Sequence, residues 1–234
     1  MKHLARLLLA ASLLLPAAVS AETIEQQSGW AGWFNTTRFY QHWGLASDIQ
    51  FRSGDHWQDL QNVLLRPGLT YFADANTNVT LGYAWIGTLN RPSGDVEEHR
   101  IWQQLIRTQS LGPAALTHRL RLEQRFTEAA PGSGHAFSQR LRYFLRAVIP
   151  LSSTAAKPFE RGAFAALQNE LFFNVQHRDV TNGSLFDQNR AYVAAGYRFS
   201  KMVDLELGYL NQAIHGRAAD TQNHVIQLAL YTRF

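Results

Sequence analysis

The sequence predicts an all-β protein, an antiparallel transmembrane β-barrel of 10 or 12 strands with short periplasmic turns and longer outer loops. Three observations carry that expectation. Apolar and polar residues alternate with period two in most segments after residue 21, and no convincing amphipathic helix interrupts them. Charge is scarce, at 17% of 234 residues, where a soluble domain carries about a quarter. The charge is also lopsided, with 19 Arg against 3 Lys, although lysine is the strongly hydrated residue that suits a wet surface.

The first 21 residues stand apart. Lys2, His3 and Arg6 precede an apolar run from Leu7 to Leu15, followed by Pro16 and the small-residue end Val19, Ser20, Ala21. This is the pattern of a secretory signal peptide, with cleavage expected after Ala21. The apolar run falls far short of the ~20 residues of a spanning helix. The expected organisation is therefore a signal peptide over 1–21 and a barrel over 22–234. The chain has no cysteine, which excludes a disulfide scaffold, a thiolate metal site, a cysteine nucleophile and a lipoprotein anchor. Removing Lys2 and Arg6 lowers the net charge from +4 to +2, too near neutral to argue for nucleic acid or a polybasic membrane patch.

The strands follow in order. Over 45–52, Leu45, Ser47, Ile49 and Phe51 alternate with Ala46, Asp48, Gln50 and Arg52; over 78–87, Val79, Leu81, Tyr83 and Trp85 alternate with Thr80, Gly82 and Ala84. In 163–176, Leu167, Leu171, Phe173 and Val175 oppose Gln168, Glu170, Phe172 and Asn174, and in 203–212, Val203, Leu205, Leu207 and Tyr209 oppose Asp204, Glu206 and Gly208. The last segment, 223–234, sets Ile226, Leu228, Leu230, Thr232 and Phe234 against Gln227, Ala229, Tyr231 and Arg233. Segments 60–72, 98–109, 115–127, 137–149 and 187–199 complete ten strands. Segments 53–59, 88–97, 128–136, 177–186 and 213–222 are long and rich in Gly, Asp, Asn and Ser, whereas 73–77, 110–114 and 200–202 are short. That asymmetry orients the barrel, with long loops outward. The stretch from Pro150 to Gly162 is long on the side that should be short. Ten strands place both termini on the periplasmic side. Gly29 to Tyr40 also reads as strand-like, so either Glu22 to Gly29 adds a twelfth strand or Trp30 to Tyr40 lies in the lumen or at its mouth.

The polar parity of these strands collects Arg52, Arg66, Arg100, Arg119, Arg121, Arg125, Arg140, Arg142, Arg146, Arg190, Arg198 and Arg233, together with Asp48, Glu98, Glu123, Glu170, Asp204 and Glu206. An arginine facing lipid near the midplane costs about 2–4 kcal/mol, so this face belongs in the lumen. A soluble lipocalin-like barrel would turn it outward and enclose a greasy ligand, but such barrels have about eight strands. Tyr71, Tyr83, Trp85, Tyr143, Tyr197, Tyr209 and Phe234 fit interfacial girdle anchors. Phe234 ends the chain as the terminal aromatic by which assembly machinery recognises outer-membrane barrels.

Several groups of residues in this order resemble one bacterial family. They are Arg66, Pro67, Gly68, Leu69 and Tyr71; Gly82 and Tyr83; Glu98, Arg100, Trp102 and Gln104; and the ladder Arg119, Arg121, Glu123, Arg125. They continue with Arg140, Arg142 and Tyr143; Asn169, Glu170, Phe172 and Asn174; Phe186 to Arg190; and Glu206, Gly208, Tyr209, Asn211 and Gln212. Together they resemble the bacterial outer-membrane barrels grouped as domain of unknown function family 2490. The resemblance covers nearly all of the chain after the leader and implies fold and location but no activity.

The expected function is structural or that of a narrow channel, with a cationic, largely plugged lumen and a weak preference for anions. Outer-membrane lipid and the barrel-assembly machinery are the expected partners, with no nucleic acid, and the protein is expected to be a monomer without cofactor. Arginine in such excess would keep the lumen carboxylates ionised and unsuited to acid–base work. A lipid hydrolase or acyltransferase would need a nucleophile and a histidine near the outer rim. Ser133 and His135 share one outer loop with Ser138 just beyond, and His99 follows Glu98 beside another loop, but no G-x-S-x-G elbow is present. The histidines after the leader show no H-x-x-x-H or other metal spacing.

Overall fold

Strands that alternate in polarity bury one face and present the other, and here the sheet they form closes on itself. The computed structural model describes residues 23–89, 93–151 and 159–234; the expected signal peptide lies outside them. Among the described residues the strands are β1 (Thr23–Arg38), β2 (Trp43–Ser53), β3 (Leu60–Phe72), β4 (Thr77–Thr88), β5 (Val96–Leu111) and β6 (Ala114–Glu128). They continue as β7 (His135–Pro150), β8 (Gly162–Gln176), β9 (Phe186–Ser200), β10 (Val203–Ile214) and β11 (Asp220–Arg233). Each pairs antiparallel with its sequence neighbour, and the barrel closes β1 onto β11. That last pairing is parallel, with Thr23 opposite Asp220 and Thr36 opposite Arg233.

Eleven strands replace the expected ten or twelve. The even-number argument assumes antiparallel closure; a parallel seam removes that requirement. Residues Trp30 to Arg38 are wall, paired with Gly44 to Arg52 of β2, not a plug. The first and last described residues consequently lie at opposite ends of the barrel, Thr23 beside the longer loops and Phe234 beside the short turns. At that lower end the Phe234 backbone N–H donates to Thr36 O at 2.9 Å, and Arg38 N–H donates to Phe234 O at 2.6 Å. The long stretch on the short-turn side persists between Pro150 and Gly162, though residues 152–158 of it lie outside those described.

β1 rises past the end of β2, leaving an open sheet edge at Gln27 and Gly29. Unpaired strand edges invite further pairing unless covered. The loop after β2 covers this one: Gln27 N–H donates to Asp55 Oδ1 and Gly29 N–H to Ser53 Oγ, each at 2.8 Å. Trp57 lies flat on the glycine, where a Cβ would meet its ring at 2.6 Å.

The two faces differ in kind. Leu45, Leu69, Leu81, Ile101, Leu105 and Leu120 on the near strands, and Leu167, Val193, Leu207 and Leu228 on the far ones, are exposed on the outer surface. The girdle candidates Tyr71, Tyr83, Tyr143, Tyr197, Tyr209 and Phe234 are exposed there too. Inside lie Trp30, Trp102, Phe164, Phe172 and Tyr192 among the buried arginines and carboxylates. Gly68 and Gly82 face each other across β3 and β4, and together they make the slot that the Trp102 indole fills. A Cβ on Gly68 would come within 2.7 Å of that ring, and one on Gly82 closer still.

Candidate functional site

The lumen is where this fold concentrates its charge. Directly opposed residues share a face, and the register brings Arg121 opposite Arg142 and Gln104, and Glu123 opposite Arg140 and Trp102. All fifteen lumen candidates lie on the inner parity: Arg52, Arg66, Glu98, Arg100, Arg119, Arg121, Glu123, Arg125, Arg140, Arg142, Arg146, Glu170, Arg190, Arg198 and Glu206. Glu123 is the hub. Its carboxylate lies 2.6 Å from Arg142, 2.8 Å from Arg140, 3.6 Å from Arg100 and 4.0 Å from Arg121. Arg142 also reaches Glu170 at 2.7 Å, which Arg119 approaches at 2.6 Å. Glu98 accepts from Arg100 and Arg125, Asp48 from Arg66, and Asp204 from Arg198 and Arg233.

Some of these bonds skip strands and so run as chords through the interior. Arg119 on β6 reaches Glu170 on β8, and Arg146 on β7 reaches Glu206 on β10. Arg140 on β7 reaches Asp187 on β9 at 2.9 Å. Asp187 is a residue that sequence reasoning missed. The register passes from Phe172–Gln188 to Phe173–Phe186, leaving Asp187 as the extra residue of a β-bulge, a device that re-aims a side chain.

Aromatic rings fill the space between guanidinium groups. Arg121 lies 4.4 Å from the Trp102 ring centre, and Arg142 and Arg190 lie 4.5 and 4.7 Å from that of Phe172. Arg52 and Arg190 both face Trp30, at 3.9 and 5.1 Å. Cation–π contacts of this kind gain strength where water is excluded. Arg52 and Arg190 differ from the rest in having no carboxylate within ion-pair distance among the described residues, and the Nε atom of each is buried without a hydrogen-bond partner. Two arginines of the described lumen are thus held by aromatic rings and neutral partners without a direct ion pair, although Glu170 stands opposite Arg190 in the register.

Above the network, at the long-loop end, a cavity of about 340 Å³ is lined by Arg125, Ser138, Asn182, Asp187, His215 and Arg217, among others. Of the rim residues considered for acyl chemistry, His99 and His135 lie close, with ring centres 5.2 Å apart, but among the described residues neither is hydrogen-bonded to Ser133 or Ser138. Ser133 Oγ accepts from Ala129 and Ala130 N–H at 3.3 and 3.1 Å and donates to Gly134 O, engaging its own turn instead of His135. Ser138 is buried on the inner face, and Glu98 and His99 point to opposite sides of β5.

Similarity to known proteins is found along most of the chain, and neither match carries an activity. A family described as a protein of unknown function (DUF2490) matches residues 27–223. An uncharacterized protein of Methylorubrum extorquens is 27% identical over 234 residues, spanning 98% of this chain and 98% of its own.

Proposed function

The chain belongs to the DUF2490 family of proteins of unknown function, and from that premise we propose that it is an outer-membrane β-barrel, structural or a narrow channel, whose lumen is largely plugged by its own ion pairs. The carrying observation is the direction of the two faces: the wall is largely apolar outside, with polar side chains such as Gln103, Gln124 and Glu97 among the exposed leucines, while the arginine–carboxylate network lies inside. Water outside would favour the reverse, as in a soluble lipid-binding barrel, whereas hydrocarbon penalises a charged outer face. In this reading the protein reaches the membrane through a cleaved leader and is assembled through the terminal strand ending in Phe234. Lipid is its main contact and it works as a monomer.

The chords that end on Glu170, Asp187 and Glu206 cross the interior and support a path that is narrow at most. Arg52 and Arg190, lacking a direct ion pair, bias any such path toward anions. The test is cell fractionation followed by recording in planar bilayers. We expect the protein in the outer-membrane fraction, with small or no conductance and any current anion-preferring. Replacing Arg52 and Arg190 by Gln together lowers that preference. Release by osmotic shock, or large non-selective conductance steps, would overturn the proposal.

A further inference from the structure

Outside the lumen, on the outward face at the long-loop end, Glu97, His99 and His135 each offer a ligand atom, and these atoms lie within 4.8 Å of one another. Glu97 and His99 stand two apart on β5 and so share a face. His135 opens β7, with β6 between them. His99 Nε2 lies 3.2 Å from Glu97 Oε1. Two ligands at about 2.0–2.1 Å from one tetrahedral zinc ion are roughly 3.3 Å apart, so this pair already has the spacing of neighbouring ligands.

Each member of the pair is also held from behind. The far ring nitrogen of His99, Nδ1, lies 2.5 Å from the Tyr83 hydroxyl. The far oxygen of Glu97, Oε2, accepts from the Trp85 indole N–H at 2.9 Å. Partners on the atoms facing away from the metal are what fix ligand orientation in metal sites. The outer surface holds an internal comparison. Tyr209, His224 and Glu25 repeat the hydroxyl–imidazole–carboxylate chain, at 2.5 and 2.9 Å, but no second histidine joins them among the described residues. A hydrogen-bonded chain alone accounts for that set. It leaves His135 unexplained in the first, because its side chain has no hydrogen-bond partner among the described residues and its ring centre lies 5.2 Å from that of His99.

We propose that Glu97, His99 and His135 form a binding site for a divalent transition metal of the zinc class, open to water at its fourth position. Two imidazoles and one carboxylate suit zinc and its neighbours, whereas calcium and magnesium take oxygen ligands. The side chains of His99 and Glu97 are 32% and 44% exposed, so the site is reached from the outer surface without any opening of the barrel. An ion there ties β5 to the start of β7 across β6 and braces the turn formed by residues 129–134.

The site is tested on full-length mature protein in detergent, prepared without a histidine tag, stripped with chelator and titrated with Zn²⁺ by calorimetry, with Co²⁺ absorption reporting geometry. We expect one ion per chain at micromolar or tighter affinity and a tetrahedral Co²⁺ spectrum. His99→Ala and His135→Ala should each weaken binding at least tenfold, and Tyr83→Phe roughly tenfold, as loss of an outer partner does. His224→Ala should leave both stoichiometry and affinity unchanged. Native folding of each variant is checked by heat-dependent electrophoretic mobility, and His135→Ala, at a strand end, stands in should His99→Ala fail to fold. Absence of saturable Zn²⁺ binding, or affinity within threefold of wild type in a folded His99 or His135 variant, would overturn the site.

Discussion

Arg142 and Glu123 meet at 2.6 Å in the middle of the barrel, both side chains almost wholly removed from solvent. Neither is a simple pair member. The same guanidinium bonds Glu170, and the same carboxylate lies within 4.0 Å of Arg100, Arg121 and Arg140. Removing one side of a buried pair leaves the other charge without compensation, at about 3–5 kcal/mol. Glu123→Gln exposes four arginines to that loss at once, so the cost should fall at the upper end of that range. Urea unfolding of the barrel in lipid vesicles measures it. A loss below about 1 kcal/mol would show that the hub does not hold the network together.

Trp102 and Gly82 make a steric prediction. A Cβ on Gly82 would enter the indole itself and would also press on the Pro67 carbonyl oxygen at 2.7 Å. Overpacking of this sort costs about 1–3 kcal/mol, so Gly82→Ala should lower the free energy of unfolding, measured by urea titration, by that amount. In a Trp102→Leu background the same substitution should cost markedly less. Equal costs in the two backgrounds would mean that the indole is not what Gly82 accommodates.

Asp55 links sheet-edge protection to pH. The Gln27 backbone N–H, aided by that of His56, holds its carboxyl below the ordinary aspartate value of 3.8. A carboxyl that titrates lower when folded contributes fully above its unfolded value, and the contribution is lost as pH falls through the folded one. Hydrogen-exchange protection of the Gln27 amide should therefore be constant above about pH 5 and fall at lower pH. Asp55→Asn should remove that dependence. A protection factor that stays flat down to pH 2 in the wild type would count against the contact.

The parallel seam predicts which ends share a compartment. Because the chain contains no cysteine, single cysteines report position cleanly. Thr23→Cys and Asp179→Cys should react together with a membrane-impermeant maleimide on intact cells, while Pro113→Cys should stay unlabelled until the cells are opened. Matching behaviour of Thr23→Cys and Pro113→Cys would contradict the eleven-strand closure in the membrane reading.

Much of the wall was legible because alternation survives any choice of strand ends. Counting by twos from Arg119 reaches Arg121, Glu123 and Arg125, and the register places all four inside. Parity even overrides residue type: Phe172 belongs by composition to lipid but stands among arginines. The segment from Gly29 to Tyr40 already read as strand-like, but its place in the wall did not follow, because Gly29, Ala31 and Gly32 blur the contrast between faces and its seam partner is parallel and nearly the whole chain away. Asp187 escaped because a bulge breaks the count. The rim cluster escaped for another reason, since its ligands come from strands two apart and no linear spacing joins them. The one local trace was Glu97-x-His99, a carboxylate and an imidazole on the same side of a strand.

The pairing of Thr23 with Asp220 also governs the order in which the molecule can be completed. Every other strand meets its neighbour within a hairpin, a short search that local chain closure makes fast. The first strand finds its last partner only after all ten others exist, and until then the sheet has two bare rims able to recruit another chain. Closure is thus the slow and hazardous step of this chain's biogenesis, and the strand made earliest is the one that waits longest.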